Sequence, residues 1–320
     1  MRFAVVTTSY PLRDGQAAGH FVAAEVQRLS VEHEVLVIAP GTHNEAAGVS
    51  PRILRGAGRG LFGPPGALAR LRERPLRALG GLEFCVRARL WLEREGPFDR
   101  VIAHWLLPCA WPIAAGLSCP VEAVAHGSDV RLLSRAPAWL RSHITRLWLD
   151  RSVSIRVVSN ELRELLLGCT SWRLESQVRV EAMPLQIDPQ LERTAARRRL
   201  GVATNARLVL LVARLIPEKR VAVALRAVSR LPEVRVVVVG GGPLLAELQQ
   251  RFGSVRFTGE LARPQALEWI AAADIVISAS QLEGAPTVLR EARALGVPVV
   301  ACTAGDLAER AAHDSGLWLI

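Results

Sequence analysis

Apolar runs recur along this chain at short intervals, and most of them do not alternate with polar residues. "FAVVTT" (3–8), "EVLVIAP" (34–40), "RVIA" (100–103), "VEAVA" (121–125) and "SIRVVS" (154–159) are each too short for a helix and rich in Val, Ile and Ala. A strand with one wet face must alternate, because successive side chains point to opposite sides. Runs that do not alternate belong to strands covered on both faces, hence to a parallel sheet with helices packed on it. Between the runs lie amphipathic stretches such as "GHFVAAEVQRLS" that read as the crossover helices.

The pattern restarts in the second half. "ARLVLLVA", "VRVVVVGGG", "SVRFTG", "DIVISAS", "VPVVAC" and "GLWLI" read as strands. "EKRVAVALRAVSRL", "PLLAELQQRF", "RPQALEWIAAA", "APTVLREARALG" and "DLAERAAH" read as the helices between them. Near 185–200 the segment "PLQIDPQLERTAARRRLGV" mixes proline and charge without a clean period. The economical reading is α/β: two doubly wound Rossmann-like domains in tandem, 1–187 and 188–320. A chain of 320 residues has room for two such domains and their cores.

The net charge is +10 and the pI about 10.8, which favours an anionic partner. No zinc-finger or RNA-recognition signature is present and the arginines are spread along the chain, so nucleic acid is not the expected partner. Five cysteines, at 85, 109, 119, 169 and 302, show no metal or disulfide spacing and suit a reducing compartment. "MRFAVVTTSYPL" reads as a first strand and not a signal peptide. The segment 101–121 is nearly free of charge, but Pro108, Pro112 and Pro120 break it; a buried strand followed by a core helix is expected instead of a membrane span. The expected location is cytoplasmic.

The insert at 51–96 is unusual. Arginines at 52, 55, 59, 70, 72, 74, 77, 87, 89 and 94 stand among leucines, Phe62 and Trp91, against Glu73, Glu83, Glu93 and Glu95. Basic plus amphipathic character suits a docking element for an anionic membrane surface, peripheral at the inner face. The alternative is an ordinary solvated helix pair.

Chemistry concentrates in the second half. In "SQLEGAPTVLREARALGVPVVA", Glu283 falls in the loop after a strand and Glu291 about two turns into the next helix, with Pro286 suited to its first turn. Both carboxylates can lie at the carboxyl end of a parallel sheet, where such folds bind ligands. A carboxylate can take two hydroxyls of a sugar or ribose, and the N–H groups of Thr287 and Val288 can take a phosphate. "ARLIPEKR" (213–220) also follows a strand and carries Arg214 and Lys219, able to converge on one anion. Lys219 is the only lysine among 40 basic residues. Arginine is a planar fork and lysine a compact point charge, so a site needing the smaller cation would explain its retention. Gly240, opening "GGGP", permits close backbone approach but matches no dinucleotide fingerprint.

The ordered series "ARLIPEKR…VVVVGGGPL…VRFTGELARPQALEWIAAADIVISASQLEGAPTVLREARALGVPVVA" resembles the C-terminal half of glycosyltransferase family four, the retaining GT-B enzymes. "SYPLRDGQAAGHFVAAEVQRLSVEHEVLVIAP" and "HWLLPCAWPIAAGLSCPVEAVAHGSDV" resemble regions of its first half. The resemblance implies a GT-B fold with two Rossmann-like domains facing a central cleft. It implies transfer of a sugar from a nucleoside diphosphate donor to a glycan or lipid-linked acceptor. Arg214 and Lys219 would hold the diphosphate, Glu283 would face the donor sugar, and Glu291 would bind the ribose. His126 would line the cleft near the transferred sugar, and Asp129 would support its loop. The loop around Gly15 and Gly19 would approach the phosphates or acceptor. His104 reads first as a core or loop histidine. No Asp-x-Asp occurs, so no metal and no cofactor are expected; cationic side chains and a helix N-terminus would neutralise the leaving group.

Three features depart from the family pattern. "MPLQID" (183–188) lacks the polar and glycine residues usual in that hinge-side loop, Thr287 stands where Gly or Asn is common, and the chain stops at "SGLWLI", which suggests a missing C-terminal end. Two other functions fit the same architecture: a non-catalytic partner in a polysaccharide-assembly complex, and a nucleotide-sugar epimerase.

Overall fold

The structure, a computed structural model, describes residues 1–13, 15–41, 51–58, 60–63, 66–188, 190–231 and 233–320. Two compact units divide the chain: Met1–Leu12 with Ala18–Pro184, and Arg13–Ala17 with Leu185–Ile320.

The first unit is built on strands β1 (Arg2–Val6), β2 (Glu34–Ala39), β3 (Arg52–Arg55), β4 (Arg100–His104), β5 (Val121–Ala125), β6 (Ser154–Val157) and β7 (Val178–Val180). They form one seven-stranded sheet in the order β3-β2-β1-β4-β5-β6-β7, every neighbouring pair parallel. Its helices are α1 (His20–Ser30), α2 (Ala67–Glu73), α3 (Ala78–Glu95), α4 (Ser128–Ser134), α5 (Ala138–Asp150) and α6 (Asn160–Cys169). The unalternated runs explain this arrangement: Ala4, Val5 and Val6 of β1, Val35 to Ala39 of β2 and Val121 to Ala125 of β5 are all buried.

The second unit repeats the scheme. Helix α7 (Arg193–Leu200) leads in; strands β8 (Arg207–Val212), β9 (Val234–Val239), β10 (Arg256–Gly259), β11 (Ile275–Ser278), β12 (Val299–Ala301) and β13 (Leu317–Leu319) follow. The order is β10-β9-β8-β11-β12-β13, again parallel throughout. Helices α8 (Val221–Val228), α9 (Leu245–Arg251), α10 (Arg263–Ala272), α11 (Thr287–Ala294) and α12 (Leu307–Ala311) alternate with these strands. The unit has a hydrophobic cluster on each face of the sheet, one around Trp269, Ile270 and Leu289, the other around Leu211, Leu225 and Val238.

Some expectations require correction. The insert at 51–96 is not a helix pair throughout: its first residues are the edge strand β3, which two arginines had disguised. Arg59 lies outside the described residues. β7 is an edge strand of three residues that the apolar-run argument missed. After β4 the chain forms no regular core helix; Leu106–Ile113 is a kinked π-type turn with non-helical backbone at Leu107 and Trp111. Pro108 and Pro112 supply the cause, since neither has an N–H to extend a helix. Among the described residues no helix is long and apolar enough to cross a membrane.

Helix α3 has two apolar faces. Gly81, Phe84, Ala88 and Leu92 are buried against the unit. Leu79, Leu82, Val86 and Leu90 are each more than half exposed. At 100° per residue these four fall in one stripe on the opposite side. The glutamates nearest the stripe are paired within the helix, Glu83 with Arg87 at 3.0 Å and Glu93 with Arg89 at 2.6 Å.

Candidate functional site

In the second unit the strand order reverses between β8 and β11, and a parallel sheet opens a crevice beyond the carboxyl ends of its strands at such a point. The loop leaving β8 carries exposed Arg214 and then a single 3₁₀ turn, Pro217–Lys219. The loop leaving β11 carries Glu283. The two loops are tied by the Gln281 N–H, which donates to the Glu218 carbonyl at 3.0 Å. Lys219 Nζ donates to Glu283 Oε1 at 2.5 Å, and both side chains are largely withdrawn from solvent, 16% and 13% exposed. A charge-assisted contact of this kind is strong and short.

Gly240 ends β9 at φ +140°, and a Cβ there would lie 1.9 Å from the Ala213 carbonyl oxygen. Only glycine lets the two loops meet. Gly242 repeats the requirement against the Leu215 carbonyl oxygen, at 2.6 Å. Helix α11 begins after Pro286, so the N–H groups of Thr287 and Val288 have no acceptor within the helix. Glu291 stands about one turn into α11, nearer its start than the sequence suggested, and is buried. It does not join the Lys219–Glu283 pair. Its Oε1 accepts from Arg263 at 2.8 and 3.2 Å. Arg263 also donates to the Gln186 carbonyl through its guanidinium, and its backbone N–H donates to the Gly15 carbonyl at 2.6 Å.

In the first unit His126 follows β5. Its loop is held by Asp129, whose buried carboxylate accepts from the backbone N–H groups of Leu106 (2.7 Å), Gly127 (2.9 Å) and His126 (3.1 Å). Burial pushes the Asp129 carboxyl up, and the N–H groups of Leu106 and Gly127 oppose the rise. The His126 ring packs among Trp105, Phe21 and His104, with centroids 4.5, 5.0 and 5.3 Å away. His126 Nε2 lies 3.1 Å from His104 Nδ1. On the far side, His104 Nε2 is 3.3 Å from Glu25 Oε2, close but off the line of a straight hydrogen bond. Glu25 is also paired with Arg156, which reaches Glu122 Oε1 at 3.1 Å.

Burial alone would raise the Glu25 carboxyl, but His104 and Arg156 outweigh it and bring it down to about 2. Burial pushes the His126 imidazole well below its usual 6.5, and the neighbouring His104 adds to this. His126 is therefore neutral near pH 7. Gly19 sits at the start of α1 with φ +77°, where a Cβ would meet the Ser9 carbonyl oxygen at 2.6 Å.

Sequence reasoning missed Glu25, Arg156 and Arg263. A signal existed for the first two. Glu25 falls on the same helical face as Val22 and Val26, and Arg156 interrupts an apolar strand; buried charges in such places must have partners.

Two parallel Rossmann-like sheets, each with its candidate residues beyond the carboxyl ends of the strands, define the GT-B fold. Solved structures of similar fold span the whole chain. Sucrose-phosphate synthase from Thermosynechococcus elongatus superposes with TM-score 0.76 at 18% identity, covering 100% of this chain and 85% of that one. Anabaena HepE, in a complex with UDP and glucose, gives 0.70 at 18% identity with the same coverage. Residues 206–320 match the model of the family described as Glycosyl transferases group 1.

Among curated sequences, the chain is 31% identical over 212 residues to TuaC of Bacillus subtilis (strain 168), named as a teichuronic acid biosynthesis glycosyltransferase. That alignment covers 64% of this chain and 53% of TuaC. It is 35% identical over 140 residues to the D-inositol 3-phosphate glycosyltransferase of Thermobispora bispora, covering 38% of this chain and 33% of the relative. The chain thus spans between a third and about half of the length of these relatives.

Proposed function

We propose that this chain is a retaining, metal-independent glycosyltransferase that moves a sugar from a nucleoside diphosphate donor to a glycan or lipid-linked acceptor. The observation that carries the reading is the Lys219–Glu283 contact at the sheet's reversal point, beside the start of α11. In this reading the diphosphate takes Lys219 from Glu283, together with Arg214 and the N–H groups of Thr287 and Val288. Developing negative charge on the leaving group then meets fixed cations and helix dipoles. Glu283, released from Lys219, accepts from donor-sugar hydroxyls, and Glu291, steadied by Arg263, accepts from the ribose. The matched family model and the curated relatives support sugar transfer, and the neighbour bound to UDP and glucose supports the donor class. Retention, the absence of a metal requirement and the kind of acceptor rest on the resemblance and on the lack of Asp-x-Asp.

The first test is a thermal-shift screen of UDP, GDP and ADP. A nucleotide held at about 100 times its dissociation constant adds ~2.7 kcal/mol of stability, and no shift with any of the three would sink the reading. Turnover of the donor with and without acceptor then separates transfer from epimerisation and from a non-catalytic role.

The same reading places the acceptor side at a membrane surface through the α3 stripe. Exposed Leu79, Leu82, Val86 and Leu90 form one face, and the glutamates beside them are already paired with arginines. Arg72, Arg74 and Arg94 nearby are exposed and suit anionic headgroups. Cosedimentation with vesicles rich in phosphatidylglycerol, against phosphatidylcholine alone, tests it; equal absence of binding to both at low salt would return α3 to an ordinary solvated helix.

A further inference from the structure

The loop leaving β11 is held from the strands on both sides of it. On the β8 side the Gln281 N–H meets the Glu218 carbonyl, and Lys219 meets Glu283. On the β12 side the chain passes through Gly305 and Asp306 before entering α12. The Asp306 N–H donates to the Gly284 carbonyl at 3.0 Å. Gly305, at φ +61°, approaches so closely that a Cβ there would lie 2.1 Å from that carbonyl oxygen and 3.2 Å from the Glu283 carbonyl carbon. Only glycine fits. The residue that the resemblance turns towards the donor sugar is thus braced by backbone from β12.

The Asp306 side chain keeps the brace in place. Asp306 stands at the N-cap position of α12, where an aspartate ordinarily accepts from the free N–H groups of the first turn. Here it makes no such bond. Its carboxylate is buried, 6% exposed, and Oδ2 accepts instead from Arg310 Nε, one turn along α12. Among the described residues Oδ1 accepts no hydrogen bond. Burial pushes the Asp306 carboxyl up, and Arg310 and Arg290, the latter on α11, draw it back. A capping bond would have served α12 alone; a charge shared by Arg310 and Arg290 serves the junction of α12 with α11. Without it the two guanidiniums would repel each other where water is scarce. The start of α12, and with it the brace, would draw away.

We propose that Gly305 and Asp306 set the Glu283 carboxylate from the β12 side, and that Asp306 is a positioning residue governing the grip on the donor's sugar and not on its nucleotide. Neither residue meets the ligand; both act through the Gly284 peptide. The nucleotide contacts are held separately: Arg214 leaves β8, and Glu291 is anchored by Arg263. The sugar half of this proposal rests on the glycosyl-transfer reading. The positional half does not.

The test compares the full chain with Asp306→Asn, which keeps the shape and removes the charge, and with Arg310→Gln, a milder change at a side chain 38% exposed. Asp314→Asn, which breaks the ion pair with Arg293 in the last turn of α11, controls for lost stability. Hydrogen exchange comes first. The amides of 281–285 should exchange about tenfold faster in Asp306→Asn, the equivalent of one hydrogen bond lost, and by less in Arg310→Gln. Those of β8 and β9 should not change, nor should 281–285 in the control. Loop amides exchange by local opening, so a merely structural role for Asp306 would leave them alone. Unaltered exchange over 281–285 in both variants would overturn the positional claim; if Asp306→Asn does not fold, Arg310→Gln decides it. Calorimetry then uses UDP, GDP and ADP and their glucose conjugates as probes. For the nucleotide that binds, Asp306→Asn should weaken the glucose conjugate about tenfold and spare the bare diphosphate. An unchanged ratio of the two affinities would mean that Asp306 does not act through the sugar contact. If none of the three diphosphates binds the unsubstituted protein, the donor reading fails and the exchange result stands.

Discussion

Lys219 holds the carboxylate that the resemblance assigns to the donor sugar, and under the proposed function it exchanges that contact for one to the donor's diphosphate. Lys219→Ala should slow donor turnover by about 10²- to 10³-fold, the usual cost of losing one donor to a developing charge. Lys219→Arg should be slowed too, though less, because a planar fork cannot reproduce a point contact of 2.5 Å between two enclosed side chains. Steady-state rates at matched folding check both, and full activity in the arginine variant would make the lone lysine a compositional accident. Glu25 and His126 make a prediction about acid. Glu25, held at about 2, gives stability that is complete above its unfolded value near 4.5 and is lost as pH falls towards 2. His126, kept neutral, works in the same direction: below about 6.5 the unfolded chain takes a proton that the folded ring refuses. Urea unfolding at stepped pH should show stability falling from about pH 6.5 downward, more gently in His126→Gln.

At the scale of elements, the loops after β8 and β9 are where the second unit tolerates least. Gly240→Ala sets a Cβ against the Ala213 carbonyl in a backbone region closed to other residues. It should cost about 3 kcal/mol and displace the strand end that carries Arg214. A chemical-denaturation midpoint indistinguishable from the parent would show that the loops have room to part. Most elements were legible because their causes are local. The unalternated runs at β2, β5, β8 and β9 leave no polar face to expose. β3 was not legible, since "RILR" offers two charges in four residues and gains strand character only from pairing with β2. β7 pairs three residues at a sheet edge, again a tertiary effect. In the site, Lys219 and Glu283 could be named from motif and position, but not their contact across 64 residues. The Arg263–Glu291 pair was hidden for the same reason.

Over the whole molecule, a net charge of +10 is spread so that neither sign forms a long block. Its effect is therefore felt at range and screened by salt, with a Debye length of about 8 Å near physiological ionic strength. Vesicle binding through α3 should weaken as salt rises but not vanish, because the leucine stripe is indifferent to ionic strength. Leu82→Glu with Val86→Glu should remove the salt-resistant part and leave folding unchanged, both side chains being exposed already. Retained high-salt binding in that double variant would place the contact elsewhere. The composition has one more consequence. Guanidiniums resist acylation near neutral pH, so a chain with a single lysine offers electrophiles one side-chain amine, beside the α-amine of Met1. That amine lies inside the candidate donor site. A mild amine-reactive ester should give one added mass on the peptide containing Lys219, and a bound nucleoside diphosphate should shield it. The protein thus carries its own reporter atom for ligand occupancy, addressable by mass spectrometry without changing a residue.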